Sequence, residues 1–139
     1  MGDLKALGIT VQTKFLDASG EEVTAATAEL TEIAFTLPKS TNVQAAFTAE
    51  GLSKRLVKIF KRELQTGDAL FDEHVHINTE TEDETAKLLE STELRAIIEG
   101  IVSDGGAVEV DGAFVKVELV GKAELDAERT GHFVQALIR

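Results

Sequence analysis

The sequence predicts an α+β protein in which an antiparallel sheet of about five to six strands is packed on one face by about three to four helices. Apolar residues alternate with a period of two near the start of the chain and again late in it. Helical periodicity occupies the stretch between them, and hairpin-length links join adjacent strands. We expect one globular domain over residues 1–139, because no stretch is rich enough in Pro, Gly or Ser to act as a linker.

The strand predictions rest on this alternation and on the turn residues that interrupt it. The predicted strands are 7–16, 30–37, 43–48, 73–79 and the two arms of a hairpin over 107–120. Asp17 and Gly20 predict a chain reversal after the first strand, and Pro38 ends the second because proline cannot donate to a ladder. Asp111-Gly112 is a strong hairpin signal and predicts the turn between the last two arms.

The helix predictions follow apolar residues that recur at helical spacing. The predicted helices are about 50–64, 82–90, 92–103 and 122–138. Segment 50–64 has the clearest periodicity, and Gly67 closes it. Gly105-Gly106 is expected to end the helix at 92–103. Asp68 is expected to cap a short helical turn that inserts Phe71 into the core.

Composition limits the classes of function. The net charge of −11 and the absence of Trp and Tyr argue against nucleic-acid binding, because phosphates are repelled and no large aromatic rings are present for base stacking. With no Cys, disulfides and thiolate zinc sites are excluded. No window reaches the roughly 18 apolar residues of a membrane span, and the first residues do not resemble a signal peptide. We therefore expect a cytoplasmic protein, and the sequence indicates no cofactor.

The most unusual feature is a cluster of positive charge on the predicted helix at 50–64. The cluster consists of Lys54, Arg55, Lys58, Lys61 and Arg62. Turned at about 100° per residue, these side chains fall within about 120° of arc. Segment 39–62 has a net charge of +5, so the other residues carry −16. The cluster favours docking to an acidic protein or an anionic membrane surface, although a solvated helix face paired with acidic neighbours is the more common case.

Two histidines suggest a second kind of site. His74 and His76 are two residues apart, so on the strand predicted at 73–79 both imidazoles would project from one face at chelating separation. A metal needs a third ligand, and the sequence does not identify one. The ordinary alternative is two histidines on the wetter face of a sheet.

Enzyme motifs are absent from the sequence. It contains no nucleophile elbow, no phosphate-cradling glycine loop and no paired metal motif. The acidic run formed by Glu80, Glu82, Asp83 and Glu84 is explained by its position ahead of a helix, where carboxylates favour the positive end of the helix dipole.

The stretch from Thr66 to Ile101, which begins TGDALFDEHVHINTE, resembles uncharacterised bacterial domains of unknown function. The resemblance extends over about residues 66–120. The residues on which it rests are Gly67, Asp68, Phe71, Asp72, Leu88, Leu89 and Arg95. In those families the segment often belongs to the cytoplasmic part of a membrane-associated protein. The resemblance implies no catalytic or binding residues, and this chain departs from it in having no transmembrane segment.

Three hypotheses about function follow from the residues. The first is a non-catalytic interaction or scaffold domain that engages an acidic partner or surface through the positive cluster. The second is a metal-binding protein or metal-dependent enzyme centred on His74 and His76. The third is a domain that associates with copies of itself. We expect the first.

Overall fold

The computed structural model of the chain describes residues 8–49, 62–120 and Phe133. These residues form seven strands and three α-helices. The strands are β1 (Thr10–Leu16), β2 (Leu30–Thr36), β3 (Gln44–Thr48), β4 (Arg62–Leu64), β5 (His76–Thr79), β6 (Ala107–Asp111) and β7 (Phe114–Val120). The helices are α1 (Ala69–His74), α2 (Glu82–Leu88) and α3 (Thr92–Ser103), and a 3₁₀ turn spans Ala25–Thr27.

All seven strands belong to one sheet, in the order β1-β2-β7-β6-β3-β5-β4. Every pair of neighbouring strands is antiparallel. The predicted α+β class and the antiparallel sheet are therefore confirmed. The sheet has one strand more than the predicted five to six, because β4 lies where the sequence predicts a helix.

The core is one cluster of buried apolar residues that come from the sheet and from α1 and α3. Phe35 of β2, Phe47 of β3 and Val117 of β7 are at most 1% exposed. The helices add the following buried residues to the same cluster: Phe71, Leu94, Ile97, Ile98, Ile101 and Val102. Phe133 is helical and fully buried, and its ring centroid is 6.3 Å from that of Phe35.

The predicted reversal after the first strand is confirmed. The Asp17 carboxylate accepts hydrogen bonds from the Ser19 amide at 2.9 Å and the Ser19 hydroxyl at 2.6 Å. Gly20 has φ +90°, which a side chain would disfavour. Residues 21–23 then run back along β1, where the Val23 amide donates to the Phe15 carbonyl at 2.7 Å.

The late hairpin is confirmed, with its turn one residue later than predicted. Asp111 and Phe114 are the last paired residues, so the two-residue loop is Gly112-Ala113. Gly112 has φ +64° at the first loop position, where a type II′ turn requires glycine. The Asp111-Gly112 dipeptide therefore correctly predicts a hairpin, whereas the exact turn residues depend on the register between β6 and β7.

The second and third helices agree closely with the predicted ranges, because their end signals are local. The Ser91 hydroxyl accepts from the Leu94 amide at 3.2 Å and caps α3. Three carboxylates occupy the first turn of α2, as the acidic run predicts. After α3 the chain passes so close to β7 that a Cβ on Gly106 would lie 2.3 Å from the Glu118 carbonyl oxygen. Gly106 is therefore required by close backbone approach.

The structure describes only part of the predicted helices at 50–64 and 122–138. Residues 50–61 of the first and most of 122–138 lie outside the described residues. Phe133 is the described residue of the second, and it is helical and buried as expected.

Candidate functional site

Of the five residues in the positive cluster, the structure describes the last one, Arg62. Lys54, Arg55, Lys58 and Lys61 lie outside the described residues, and Arg62 is the first residue of β4. The prediction of a helix reaching residue 64 is therefore wrong over Arg62–Leu64. These three residues pair with β5, and Leu64, which fitted the helical spacing, packs against the core opposite Ile77.

The position of β4 in the sheet defines where the cluster ends. Among the described strands β4 is at the edge of the sheet, and β5 is its one neighbour. In the register of this pair, Arg62 is opposite Thr79 and Glu63 is opposite Asn78. The chain between β3 and β4, which contains the other four cations, therefore ends at an edge of the sheet.

The two histidines lie in different elements. The predicted strand over 73–79 is wrong at its start, because α1 continues to His74 and β5 begins at His76. The helix persists because the Val75 amide donates to the Phe71 carbonyl at 2.8 Å, which completes its last turn. The premise that both imidazoles project from one strand face is therefore incorrect.

His74 makes two contacts within the fold. Its Nδ1 is 2.9 Å from the Leu70 carbonyl oxygen, at the C-terminal end of α1. The same nitrogen is 3.4 Å from Glu99 Oε1 on α3. In residues 8–49 and 62–120 no group of three His, Asp or Glu side chains is arranged to hold a metal ion. The metal site at His74 and His76 stays a prediction.

A polar corner joins the loop before α1 to the start of α3. Asp68 caps α1 by accepting from the Phe71 amide at 3.3 Å, which confirms the predicted cap. Asp72 accepts from the Thr66 amide at 2.8 Å, the Thr66 hydroxyl at 2.9 Å and the Gly67 amide at 3.1 Å. The Asp68 carboxylate therefore bonds to the first turn of α1, and the Asp72 carboxylate on that turn bonds back to the loop before it.

Arg95 completes this corner. Its Nη1 is 3.3 Å from Asp68 Oδ2, with 24% of the Arg95 side chain and 42% of the Asp68 side chain exposed. The buried Arg95 Nε has no hydrogen-bond partner within the described part of the chain. Both residues belong to the resemblance over residues 66–120, but they are 27 positions apart, and nothing in the sequence indicates that their side chains are in contact.

Three threonines form a second polar cluster that sequence analysis did not identify. The Thr79 and Thr85 hydroxyls are 2.9 Å apart, and both residues are fully buried. Thr79 donates to the Gln44 carbonyl at 2.8 Å, and Thr81 accepts from the Gln44 amide at 2.9 Å. The cluster fastens the start of α2 to strands β3 and β5. The spacing of the threonines could have indicated a capping role, but not the contact with β3.

The face of the sheet opposite the core carries a row of charges. Lys116 Nζ on β7 is 3.4 Å from Glu32 Oε1 on β2 and 3.8 Å from Glu109 Oε2 on β6. The other Glu109 oxygen, Oε1, is buried and has no hydrogen-bond partner among the described residues. The Lys116 ammonium therefore contacts two carboxylates of neighbouring strands.

Comparisons with protein-family models, curated proteins and solved structures gave no match to this chain. The resemblance over about residues 66–120 therefore stays a prediction. Five of the seven residues on which the resemblance rests lie in the polar corner or in the core beside it: Gly67, Asp68, Phe71, Asp72 and Arg95. Among the described residues, no helix has the length and apolar character needed to cross a bilayer.

Proposed function

We propose that this chain is a non-catalytic interaction domain that docks an acidic protein or an anionic membrane surface through its cationic segment. The cationic segment is the positive cluster described above, which consists of Lys54, Arg55, Lys58, Lys61 and Arg62. The observation that carries the proposal is the separation of charge along the chain.

That separation is large for a protein of this size. Residues 39–62 carry +5 and the remaining residues carry −16, so the field of the protein is strongly polarised. A partner with exposed carboxylates or phosphates is attracted to the cationic segment and repelled from most other parts of the surface. This favours one orientation of approach, which is what a docking surface requires.

Two of the described cations outside the cationic segment have partners in the fold. Lys116 contacts Glu32 and Glu109, and Arg95 contacts Asp68. These cations hold strands and helices together, which supports assigning partner binding to the clustered ones.

The end of the cationic segment at a sheet edge also supports the proposal. Arg62 begins edge strand β4, so its backbone neighbours strand β5 on one side. With Arg62 in a strand, Lys54, Arg55, Lys58 and Lys61 still span about 120° if residues 50–61 are helical at about 100° per residue.

A non-catalytic role agrees with the described polar clusters. The Asp68 and Asp72 carboxylates satisfy backbone amides of their own loop and helix, and the Thr79 and Thr85 hydroxyls bond to each other. Each cluster has a structural explanation.

Binding to two defined anionic probes tests the proposal. One probe is a polyglutamate peptide, and the other is a vesicle of phosphatidylserine and phosphatidylcholine. The test variant is Lys54→Glu with Lys58→Glu. The control is Lys39→Glu with Lys87→Glu, which has the same net charge and changes two lysines that are exposed in the structure.

We expect the test variant to lose binding to at least one probe while the control retains most of it. Binding by the wild type should also fall as salt is raised, because exposed charges are screened over about 8 Å at physiological ionic strength. Equal losses in the two variants would show that net charge, and not the cationic segment, governs binding. Binding of peptide but not vesicle would identify an acidic protein as the partner class, and the reverse result a membrane surface.

A further inference from the structure

We infer that the outer edge of β1 pairs with the same edge of a second copy of this chain, in an antiparallel register centred on Gln12. The inference is independent of the cationic segment, which in the sequence follows β3 and ends at the first residue of β4. It rests on the direction of backbone groups in β1, on the part of that edge that the described residues leave open, and on the residues that a two-fold axis would bring together.

The hydrogen-bond pattern shows which residues of β1 point away from β2. The Val23 amide donates to the Phe15 carbonyl and the Asp17 amide donates to the Glu21 carbonyl, so residues 15 and 17 turn their backbone groups toward the segment 21–23. Because these groups alternate along an antiparallel strand, Val11 and Thr13 turn theirs the same way.

The pairing of β2 with β7 independently shows the same alternation of inward-facing and outward-facing residues in β1. The Leu37 amide donates to the Ala113 carbonyl at 2.8 Å, in register with the β2-β7 pairing. Odd-numbered residues of β2 therefore face β7, and even-numbered ones face β1. Since Gln12 is paired with Ala34, the even-numbered residues of β1 face β2, and Val11 and Thr13 face outward.

Only part of this edge is covered by the described chain. Residues 21–23 pair with the C-terminal end of β1, through the bridge between Leu16 and Glu22. At the other end Gly8 has φ +78°, and Ile9 turns into the core. Over Thr10–Lys14, the N–H and C=O groups of Val11 and Thr13 have no partner strand among the described residues.

An open strand edge is a template for another strand, and natural proteins cover or charge such edges. The opposite edge, β4, is only three residues long, which by itself limits pairing. The open part of β1 is longer and contains a single charged residue, Lys14. Gln12, Thr13 and Lys14 are all exposed.

The residues of β1 fit a second copy. With a two-fold axis at Gln12, Val11 pairs with Thr13 of the other copy, and the two residues exchange both backbone hydrogen bonds. Lys14 is then opposite Thr10, so no like charges face each other across the axis. Residues 10–14 carry one positive charge in a chain of net charge −11, so pairing over these residues brings no carboxylates of the two strands together.

The axis brings the two Gln12 side chains together. Gln12 points its backbone groups at its own β2, so the two Gln12 residues form a non-hydrogen-bonded pair, whose Cβ atoms are about 4.5–5.5 Å apart in such sheets. This contact is specific to two copies related by that axis. It can therefore be tested by changing the charge at one position.

The test is sedimentation velocity with wild type, Gln12→Glu, Gln12→Lys and an equimolar mixture of the two variants. We expect the wild type to show concentration-dependent dimer below about 1 mM, the range of weak association. Each variant alone should dimerise at least about threefold more weakly, because like charges directly opposite destabilise a pair. The mixture should recover or exceed wild-type association. A wild type that stays monomeric, or variants whose mixture behaves as either alone, would overturn the inference.

A second pair of variants tests the backbone contact. Thr13→Pro removes an outward amide that the β1-β2 ladder does not use, and edge strands tolerate proline at such positions. Thr13→Val keeps that amide. We expect Thr13→Pro to lose dimer and Thr13→Val to retain it, with circular dichroism confirming that both fold. Dimerisation of folded Thr13→Pro at the wild-type concentration would contradict the inference, and the Gln12 series decides the matter if the proline variant unfolds.

Discussion

Arg95 Nη1 lies 3.3 Å from Asp68 Oδ2, and this ion pair connects the first turn of α3 to the residue that caps α1. Asp68 thus has two separate functions, since its other oxygen accepts from the Phe71 amide. The residues that carry the resemblance in the segment 66–120 therefore include a connected structural unit. This provides a physical reason for the motif that requires no ligand.

Substitutions at Asp68 should separate the cap from the ion pair. Asp68→Ala removes both and should lower the free energy of unfolding by about 1–2 kcal/mol, whereas Asp68→Asn keeps a capping oxygen and should cost under about 1 kcal/mol. Arg95→Met should also cost under about 1 kcal/mol, because it removes a partly exposed pair together with a buried unpaired Nε. Urea denaturation measures these changes. Equal losses for the two Asp68 variants would show that the cap contributes little.

The threonine cluster should make a measurable contribution to stability. Thr79→Val keeps the side-chain shape but removes a hydroxyl that donates to the Gln44 carbonyl and accepts from the Thr81 amide. We expect a loss of about 1–3 kcal/mol, because the Thr81 amide and the buried Thr85 hydroxyl each lose a hydrogen-bond partner. Thr27→Val is the matched control on an exposed 3₁₀ turn and should change stability by less than about 0.5 kcal/mol. Similar urea midpoints for the two variants would contradict the structural role of the cluster.

Gly106 should be intolerant of any side chain. Gly106→Ala places a Cβ 2.3 Å from the Glu118 carbonyl oxygen and 2.9 Å from the Ile101 carbonyl oxygen, so backbone must move. We expect a loss of about 3 kcal/mol or failure to fold. Gly20→Ala is the control: its Cβ would meet nothing within 4 Å, so only its φ of +90° opposes the change, at about 1–2 kcal/mol. Thermal unfolding compares them, and a milder effect at Gly106 than at Gly20 would disprove the close approach.

The Asp17 turn should be sensitive to acid. The Ser19 hydroxyl, followed by the Glu21 amide, holds the pKa of the Asp17 carboxyl below its ordinary value of 3.8. The stabilisation is therefore present above that value and is lost as pH falls through the lower folded pKa. NMR titration of Asp17 should give a lowered pKa in the wild type that returns toward 3.8 in Ser19→Ala. An unchanged pKa in Ser19→Ala would show that the hydroxyl is not the cause.

Local signals in the sequence predicted much of the fold. The Asp68 cap, the burial of Phe71 and the β6-β7 hairpin each depend on residues a few positions apart, so propensity and spacing were sufficient. The end of α3 was predicted for the same reason, since a glycine with positive φ directly follows its last turn.

Non-local pairing explains what the sequence did not reveal. β4 is three residues long, and Leu64 fits a helical repeat as well as a strand, so only its pairing with β5 distinguishes them. His74 lies at the junction of a helix and a strand, where one residue of displacement changes the face on which a side chain lies. The contact of Arg95 with Asp68, and that of the threonines with β3, depend on how distant segments pack.

The most direct measurement of the proposed docking role is isothermal titration of polyglutamate into three proteins at low and physiological salt. These are the wild type, the Lys54→Glu, Lys58→Glu variant and the charge-matched Lys39→Glu, Lys87→Glu variant. We expect salt-sensitive binding by the wild type, an affinity at least about tenfold lower in the first variant, and largely unchanged affinity in the second. Identical binding curves for the two variants would contradict the proposed docking role.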